Sequence, residues 1–436
     1  MLVPLHGIAS RHDLPLPFGY VVAGAVLALA VSFVVLLLAW RAPRFPRVGG
    51  IPLPRLTRLV DSPGVRAAAS LLVLATYAWA ALALMAGQDL LTNPVFGFVY
   101  VWMWVGLIPV SLLLGQVWRA TNPLRTVHRL LCALARTDPY EGLLRLPRGV
   151  GVWPAALGLV AFAWLELVQP DRTTLAVLRV WALAWFVLLV LGALVFGQRW
   201  IGAADPFEAY ASSVAQLSPW RRVGDQLRWV NPLAGLTSWR APAGAVGVVA
   251  VLLGSTAFDS FANLSWWIQT VQASSVVTVV WAGGGLLVAI AVVLVSFSLA
   301  AAWMGRYGDR PARAYPRLMA GSVVPIVLGY AVAHYLTLLV SEGQHTAILF
   351  SDPLGRGWDV FGTGGRAVDN GIYRHPTLIA TVQASAIVLG HVLGIVAAHE
   401  KAVSLLPGRD ALRGQWPMLA VMVGYTYAGL VLLFSP

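Results

Sequence analysis

Charge, cysteine and lysine are scarce in this chain. Only 11% of its 436 residues are charged, and a soluble protein of this length carries about twice that fraction. The single cysteine, Cys132, excludes an internal disulfide and leaves the redox compartment unread. Lys401 is the one lysine among 30 basic residues, the arginine-biased usage of a high-GC bacterial genome. There is no HExxH or CxxC metal signature, no P-loop, no GxSxG elbow and no dinucleotide fingerprint. These scarcities exclude a soluble domain, a disulfide scaffold and the common nucleotide-binding folds.

What the chain has is apolar sequence, 58% of it, with a mean hydropathy of +0.75. About 20 apolar residues cross the hydrocarbon core as a helix. On that measure ten spans fall near 18–40, 68–87, 95–117, 151–168, 174–197, 243–258, 275–303, 317–341, 378–400 and 416–434. Backbone polar groups in lipid must be satisfied within the segment, so the spans are helices. The expected fold is all-α, a polytopic membrane helix bundle forming one integral membrane domain over 1–436. The first apolar run, from Phe18 to Trp40, is too long for a cleavable signal peptide and lacks a small-x-small site.

The net charge of +12 resembles a nucleic-acid footprint until the basic residues are located. Of the 30, 24 fall in the loops after spans one, three, five, seven and nine. Cytoplasmic loops collect Arg and Lys, so those loops are expected inside and both termini outside, in a bacterial plasma membrane. The charge then reads as topology plus attraction to anionic membrane lipid, with no nucleic-acid partner.

A short repeat follows two of these spans. Gly115-Gln116-Val117-Trp118 leads to Asn122-Pro123-Leu124, and Gly197-Gln198-Arg199-Trp200 leads to Asp205-Pro206-Phe207. Asn231-Pro232-Leu233 echoes the turn. Asn or Asp before Pro starts helices, so each turn predicts an amphipathic helix along the cytoplasmic membrane surface. In 122–136, Leu124, Val127, Leu130, Leu131 and Leu134 form one stripe, with Arg125, His128, Arg129 and Arg136 largely off it. Such helices either wrap and anchor the bundle or dock a partner subunit. His128 is expected on the solvated face.

Ionisable groups inside a span are costly and are usually paired or functional. Glu166 and Arg179 flank the short turn 169–172 and are expected to pair, tying spans four and five together. Tyr330 and His334 share a face of span eight. His391 lies beside a Gly390, Gly394, Ala398 stripe that admits a close helix neighbour. The two histidines raise the possibility of haem ligation, but their different depths argue against one shared haem. Hydrogen-bonded structural histidines, or steps in a polar pathway, fit better.

Histidines and carboxylates also gather on the expected outer side: His6 and His12 on the N-terminal arm, and His345, Asp352, Asp359 and His375 in the long loop 342–376. Such ligands suit a divalent transition metal that could activate water. The four histidines would be ligands, with Asp352 or Asp359 bridging or orienting. Loop packing and capping would use the same residues. Asp259, leaving span six nearby, fits either account.

Several stretches resemble the actinobacterial multi-pass membrane proteins labelled fenitrothion hydrolase. They include His6-Gly7 through Arg11-His12-Asp13-Leu14-Pro15, Gly254-Ser255-Thr256-Ala257-Phe258-Asp259, and Ala333-His334-Tyr335-Leu336-Thr337 with Gly343-Gln344. Ser351-Asp352-Pro353 through Gly357-Trp358-Asp359, Gly390-His391-Val392 with Ala398-His399, and Tyr425-Thr426 before Gly429-Leu430 complete the set. The resemblance implies hydrolysis of an organophosphorothioate triester with release of a nitrophenol, which the outer histidines would assist through a metal. The competing class is a metal-handling transporter, or the membrane subunit of a redox or metal-delivery complex, with His334, His391 and His399 on the inward route.

Overall fold

The computed structural model describes residues 11–45, 49–406 and 408–434. Among the described residues eight helices are long and apolar enough to cross a membrane, and Pro94–Met103 with Leu107–Leu114, bent by 44° at their junction, makes a ninth if the pair is counted as one span. The π-helical stretch Phe98–Met103 lies at that bend. Trp153–Leu167, at expected span four, is apolar but has only 15 residues, which reach about 22 Å against a core of roughly 30 Å. The fold is thus an all-α, multi-pass membrane bundle.

The single expected domain divides into two compact units, each discontinuous in sequence. One comprises 1–49, 230–337 and 370–436; the other comprises 50–229 and 338–369.

In the first unit Ala245–Ala262 is buried on nearly all sides, while Phe18–Ala39 and Thr278–Ala302 keep broad apolar faces exposed. An apolar exposed face is the lipid-facing signature of a span. The glycine stripe of Pro376–Leu405 works as its spacing predicts. A Cβ on Gly390 would lie 2.6 Å from the Pro325 carbonyl oxygen, and one on Gly394 2.9 Å from that of Ser322. Only backbone hydrogens fit there, so the two helices meet at backbone distance.

At the end of that same helix Glu400 gathers the chain leaving the first span. Its carboxylate accepts from Trp40 Nε1 (2.8 Å) and from the backbone N–H groups of Arg44 (3.0 Å) and Phe45 (2.6 Å). Lys401 donates to the Thr237 carbonyl. Loops that the charge pattern assigns to one side therefore meet.

In the second unit Ile51–Pro52, Gln226–Trp229 and Trp220–Val223 form a small antiparallel sheet, with Gln226–Trp229 in the middle. The repeated turns also meet there, each opening on a glycine in the left-handed region, Gly115 (φ 72°) and Gly197 (φ 71°). A side chain is disfavoured at that φ. Asn122 and Asp205 cap the following helices as expected, accepting from Leu124 N and Phe207 N.

Two expectations about these helices are corrected. Pro206–Val214 is buried almost throughout and does not lie on a surface. Pro123–Ala135 does not keep its polar face in solvent as expected: Arg125, His128 and Cys132 are buried along with Leu124, while Leu130 and Leu134 are 54% and 83% exposed. Arg125 and His128 have their partners inside the protein, and Leu130, Leu131 and Leu134 are exposed.

Candidate functional site

Asp259 and Ser260 occupy the last turn of Ala245–Ala262, and Tyr330, His334 and Tyr335 face them from Val324–Leu349. All five are buried. His334 Nε2 lies 2.9 Å from Asp259 Oδ2, and its Nδ1 lies 3.1 Å from Ser260 Oγ. Tyr330 donates its hydroxyl to Ser260 Oγ at 2.8 Å, and Tyr335 reaches the same Asp259 oxygen at 3.4 Å. A carboxylate only accepts, so Nε2 carries the proton and Nδ1 has the lone pair. Ser260, already accepting from Tyr330, then has its own O–H to donate to Nδ1. One proton order accounts for these contacts: tyrosine to serine, serine to histidine, histidine to aspartate. This is the nucleophile–base–orienter geometry of acyl and phosphoryl hydrolases.

Sequence reading placed Tyr330 and His334 on one face and noted Asp259, but missed Ser260. The available signal was depth, since Asp259-Ser260 ends one span while His334 sits near the same end of another.

The remaining membrane histidines are separate from this network. Gln383 Nε2 bonds the Ala333 carbonyl, and Gly390 packs against Pro325 and Gly329. His391 therefore lies roughly 10 Å from His334 along the bundle, in keeping with the depth difference expected. Its Nδ1 donates to the Ile387 carbonyl at 2.8 Å, and its buried Nε2 has no hydrogen-bond partner among the described residues. His399 donates from Nε2 to the Trp40 carbonyl (2.8 Å), and its Nδ1 lies 3.0 Å from Gln415 Oε1.

The outer-loop residues have other tasks. Val324–Leu349 continues past the expected end of span eight, so His345 is helical and pairs with Glu342 at 3.2 Å. Asp352 accepts from the N–H groups of Arg356 and Gly357. Burial works against its charge, but these and neighbouring N–H groups hold its carboxyl below the usual range. Asp359 is likewise lowered, by the Gly364 N–H, the Ser351 hydroxyl and the Thr363 N–H. Such carboxylates build turns. His12 is exposed on a short 3-10 turn, His375 is exposed at the start of Pro376–Leu405, and His6 lies outside the described residues. Among the described residues no three His, Cys, Asp or Glu side chains are placed to hold a metal ion.

Arg179 is also corrected. It donates to the carbonyls of Leu84 (2.8 Å) and Met85 (3.4 Å), binding the helix end Pro63–Ala86 in place of Glu166.

A second buried polar cluster joins the repeated turns. Asn122 donates to Asp205 at 2.6 Å and to Glu208 at 3.2 Å, and Arg125 grips both oxygens of Glu208 at 2.7 and 2.6 Å. Arg125 and Gln198 exchange two further bonds. Each partner stands three residues after its cap, Arg125 after Asn122 and Glu208 after Asp205, so the repeat is a matched pair in space. Burial, then the Glu208 charge, raise Asp205 to about 7. Burial, then the Arg125 charge, lower His128, and the Ala193 carbonyl opposes them. His128 thus leaves the solvated face that its sequence position suggested.

Fold and site together define a polytopic membrane helix bundle with a buried serine–histidine–aspartate network. No protein-family description, curated protein or solved structure matches the chain.

Proposed function

We propose that the protein is a membrane-embedded hydrolase of lipophilic ester or phosphotriester substrates, with Ser260 as nucleophile, His334 as base and Asp259 as its orienting carboxylate. The observation that carries the reading is the continuous proton order from Tyr330 through Ser260 and His334 to Asp259. The resemblance to the fenitrothion hydrolase group supports the substrate class. Ser260 lies one turn from the exposed Asn263 at the helix end, so a substrate dissolved in the outer leaflet approaches from the side that the charge pattern assigns as extracytoplasmic.

In the first step the Ser260 Oγ–phosphorus bond forms, its proton passes to His334 Nδ1, and the phosphorus–aryl oxygen bond breaks. The departing phenolate takes that proton, and Tyr330 is placed to donate toward the charge that develops beside Oγ. In the second step water gives its proton to Nδ1 and displaces the serine oxygen, returning it to Ser260.

A fluorophosphonate probe applied to the purified protein should label Ser260, located by peptide mass. Ser260→Ala should lose the label, and His334→Gln should slow labelling and turnover of a nitrophenyl phosphotriester by about a hundredfold or more. A wild-type protein that takes no label, or a Ser260→Ala variant with full turnover, would show the network to be a structural clasp.

A further inference from the structure

His399 lies outside the proposed catalytic network, and its hydrogen bonds fix its charge. It is 1% exposed, and both of its ring nitrogens face oxygens: Nε2 the Trp40 carbonyl at 2.8 Å, and Nδ1 the Gln415 Oε1 at 3.0 Å. Both oxygens only accept. The Gln415 amide cannot reverse, because its Nε2 donates to the Ala411 carbonyl, and turning it over would set two oxygens against each other. Neutral imidazole has one N–H and one lone pair, so it satisfies only one of the two contacts. Imidazolium donates to both. Gln415 is 2% exposed, so no bulk water takes over the contact that a neutral ring loses, and an unmet buried acceptor is costly.

The charges around the ring are few. Glu400 follows it on the same helix, with its carboxylate occupied by Trp40 Nε1 and the N–H groups of Arg44 and Phe45. The Arg44 guanidinium lies over the Trp40 ring at 4.4 Å, and that ring meets His399 edge to face at 6.5 Å. Lys401 is occupied by the Thr237 carbonyl. Gly408–Phe434 brings Asp410 and Arg413 in its first turns, and Tyr315–Met319 brings Arg317. Phe18–Ala39, Pro232–Thr237 and Ala320–Val323, packed on the same helix, carry no charge.

We propose that His399 is a proton-operated latch, clamping the end of the first span and the start of the last onto Pro376–Leu405 while it holds its second proton, and releasing Gln415 when that proton leaves. Trp40 is the fixed partner, since Glu400 holds its indole and two N–H groups beyond it. Gln415 is the movable one. It borders a void of about 10 Å³ whose other walls are apolar, among them Phe33, Met418 and Met422. The latched form binds one proton more than the released form, so rising pH favours release. By the charge pattern this end of the helix is cytoplasmic, and the latch answers to cytoplasmic pH.

The test uses the full chain in a neutral detergent, with isotope-labelled histidine, between about pH 5 and pH 8, where histidine changes charge. At the acidic end nitrogen NMR should show a buried histidine with both ring nitrogens protonated, and His399→Gln should remove that signal. Deuterium uptake over residues 410–420, corrected for the intrinsic rate, should rise with pH by at most about tenfold per unit, the limit for one proton. Gln415→Leu takes away the oxygen facing Nδ1, so the neutral ring fits and the pH dependence should flatten. If that variant does not fold, the wild type decides: loss of the second ring proton and the rise in uptake should share one midpoint. A His399 ring already neutral at about pH 5, equal pH dependence in wild type and Gln415→Leu, or two separate midpoints would overturn the proposal.

Discussion

Asp205 is a carboxyl held in a buried cluster that disfavours its charge, and the consequence is a defined pH response. Its folded value is raised from 3.8 to about 7, so the folded state binds its proton more tightly than the unfolded chain. The stabilisation is complete below the unfolded value and is lost as pH rises through about 7. Wild type should therefore lose thermal stability relative to Asp205→Asn between about pH 4 and 7 and level off above that, and parallel melting curves across that range would refute this. Sequence made the caps Asn122 and Asp205 legible, because a short polar side chain before proline has one common local use. It did not reveal that the two caps touch, since nothing local specifies which turn meets which. Arg125 and His128 were misplaced for a related reason: an amphipathic pattern gives two faces, and nothing local shows that the polar one meets Glu208 and Gln198 instead of solvent. Ser260 was missed because a lone serine near a helix end carries no pattern until a histidine on another helix faces it.

At the scale of elements, the glycine stripe of Pro376–Leu405 shows how directly spacing converts to packing. Gly390→Ala would place a methyl 2.6 Å from a backbone oxygen and should cost about 1–3 kcal/mol through forced backbone movement. Gly424→Ala, on Gly408–Phe434 with nothing within 4 Å of the new methyl, should be neutral or slightly stabilising through helix propensity. Detergent melting of the two variants checks this, and equal shifts would refute it. Nine of the ten expected spans have counterparts passing a length and hydropathy test, one of them as a bent pair. The fourth falls short at 15 residues, bounded by the turn around Gly151 (φ 52°) and by Leu167. The outer loop was less legible. Histidine and aspartate ligate metals and also build turns, and only the backbone shows which N–H groups Asp352 and Asp359 already accept.

For the whole molecule, the charge pattern predicts which loops lie inside, and the fold brings some of those loops together within each unit. Ile51–Pro52 pairs with Gln226–Trp229, and the Trp40–Phe45 segment is held by Glu400. Cysteine introduced at Thr137 should react with an impermeant maleimide only after permeabilisation, and cysteine at Arg356 should react in intact cells. The opposite result at both positions would invert the orientation and move the proposed reaction to the cytoplasmic side. The native thiol should not obscure this measurement. Cys132 is buried on the inward face of Pro123–Ala135, with its sulfur 3.6 Å from His128 Nε2. A thiol shielded in that way reacts only when its helix lifts away. The chain thus contains a single-site clock for the opening of that helix, readable in the unmutated protein as the rate at which a thiol dye is taken up.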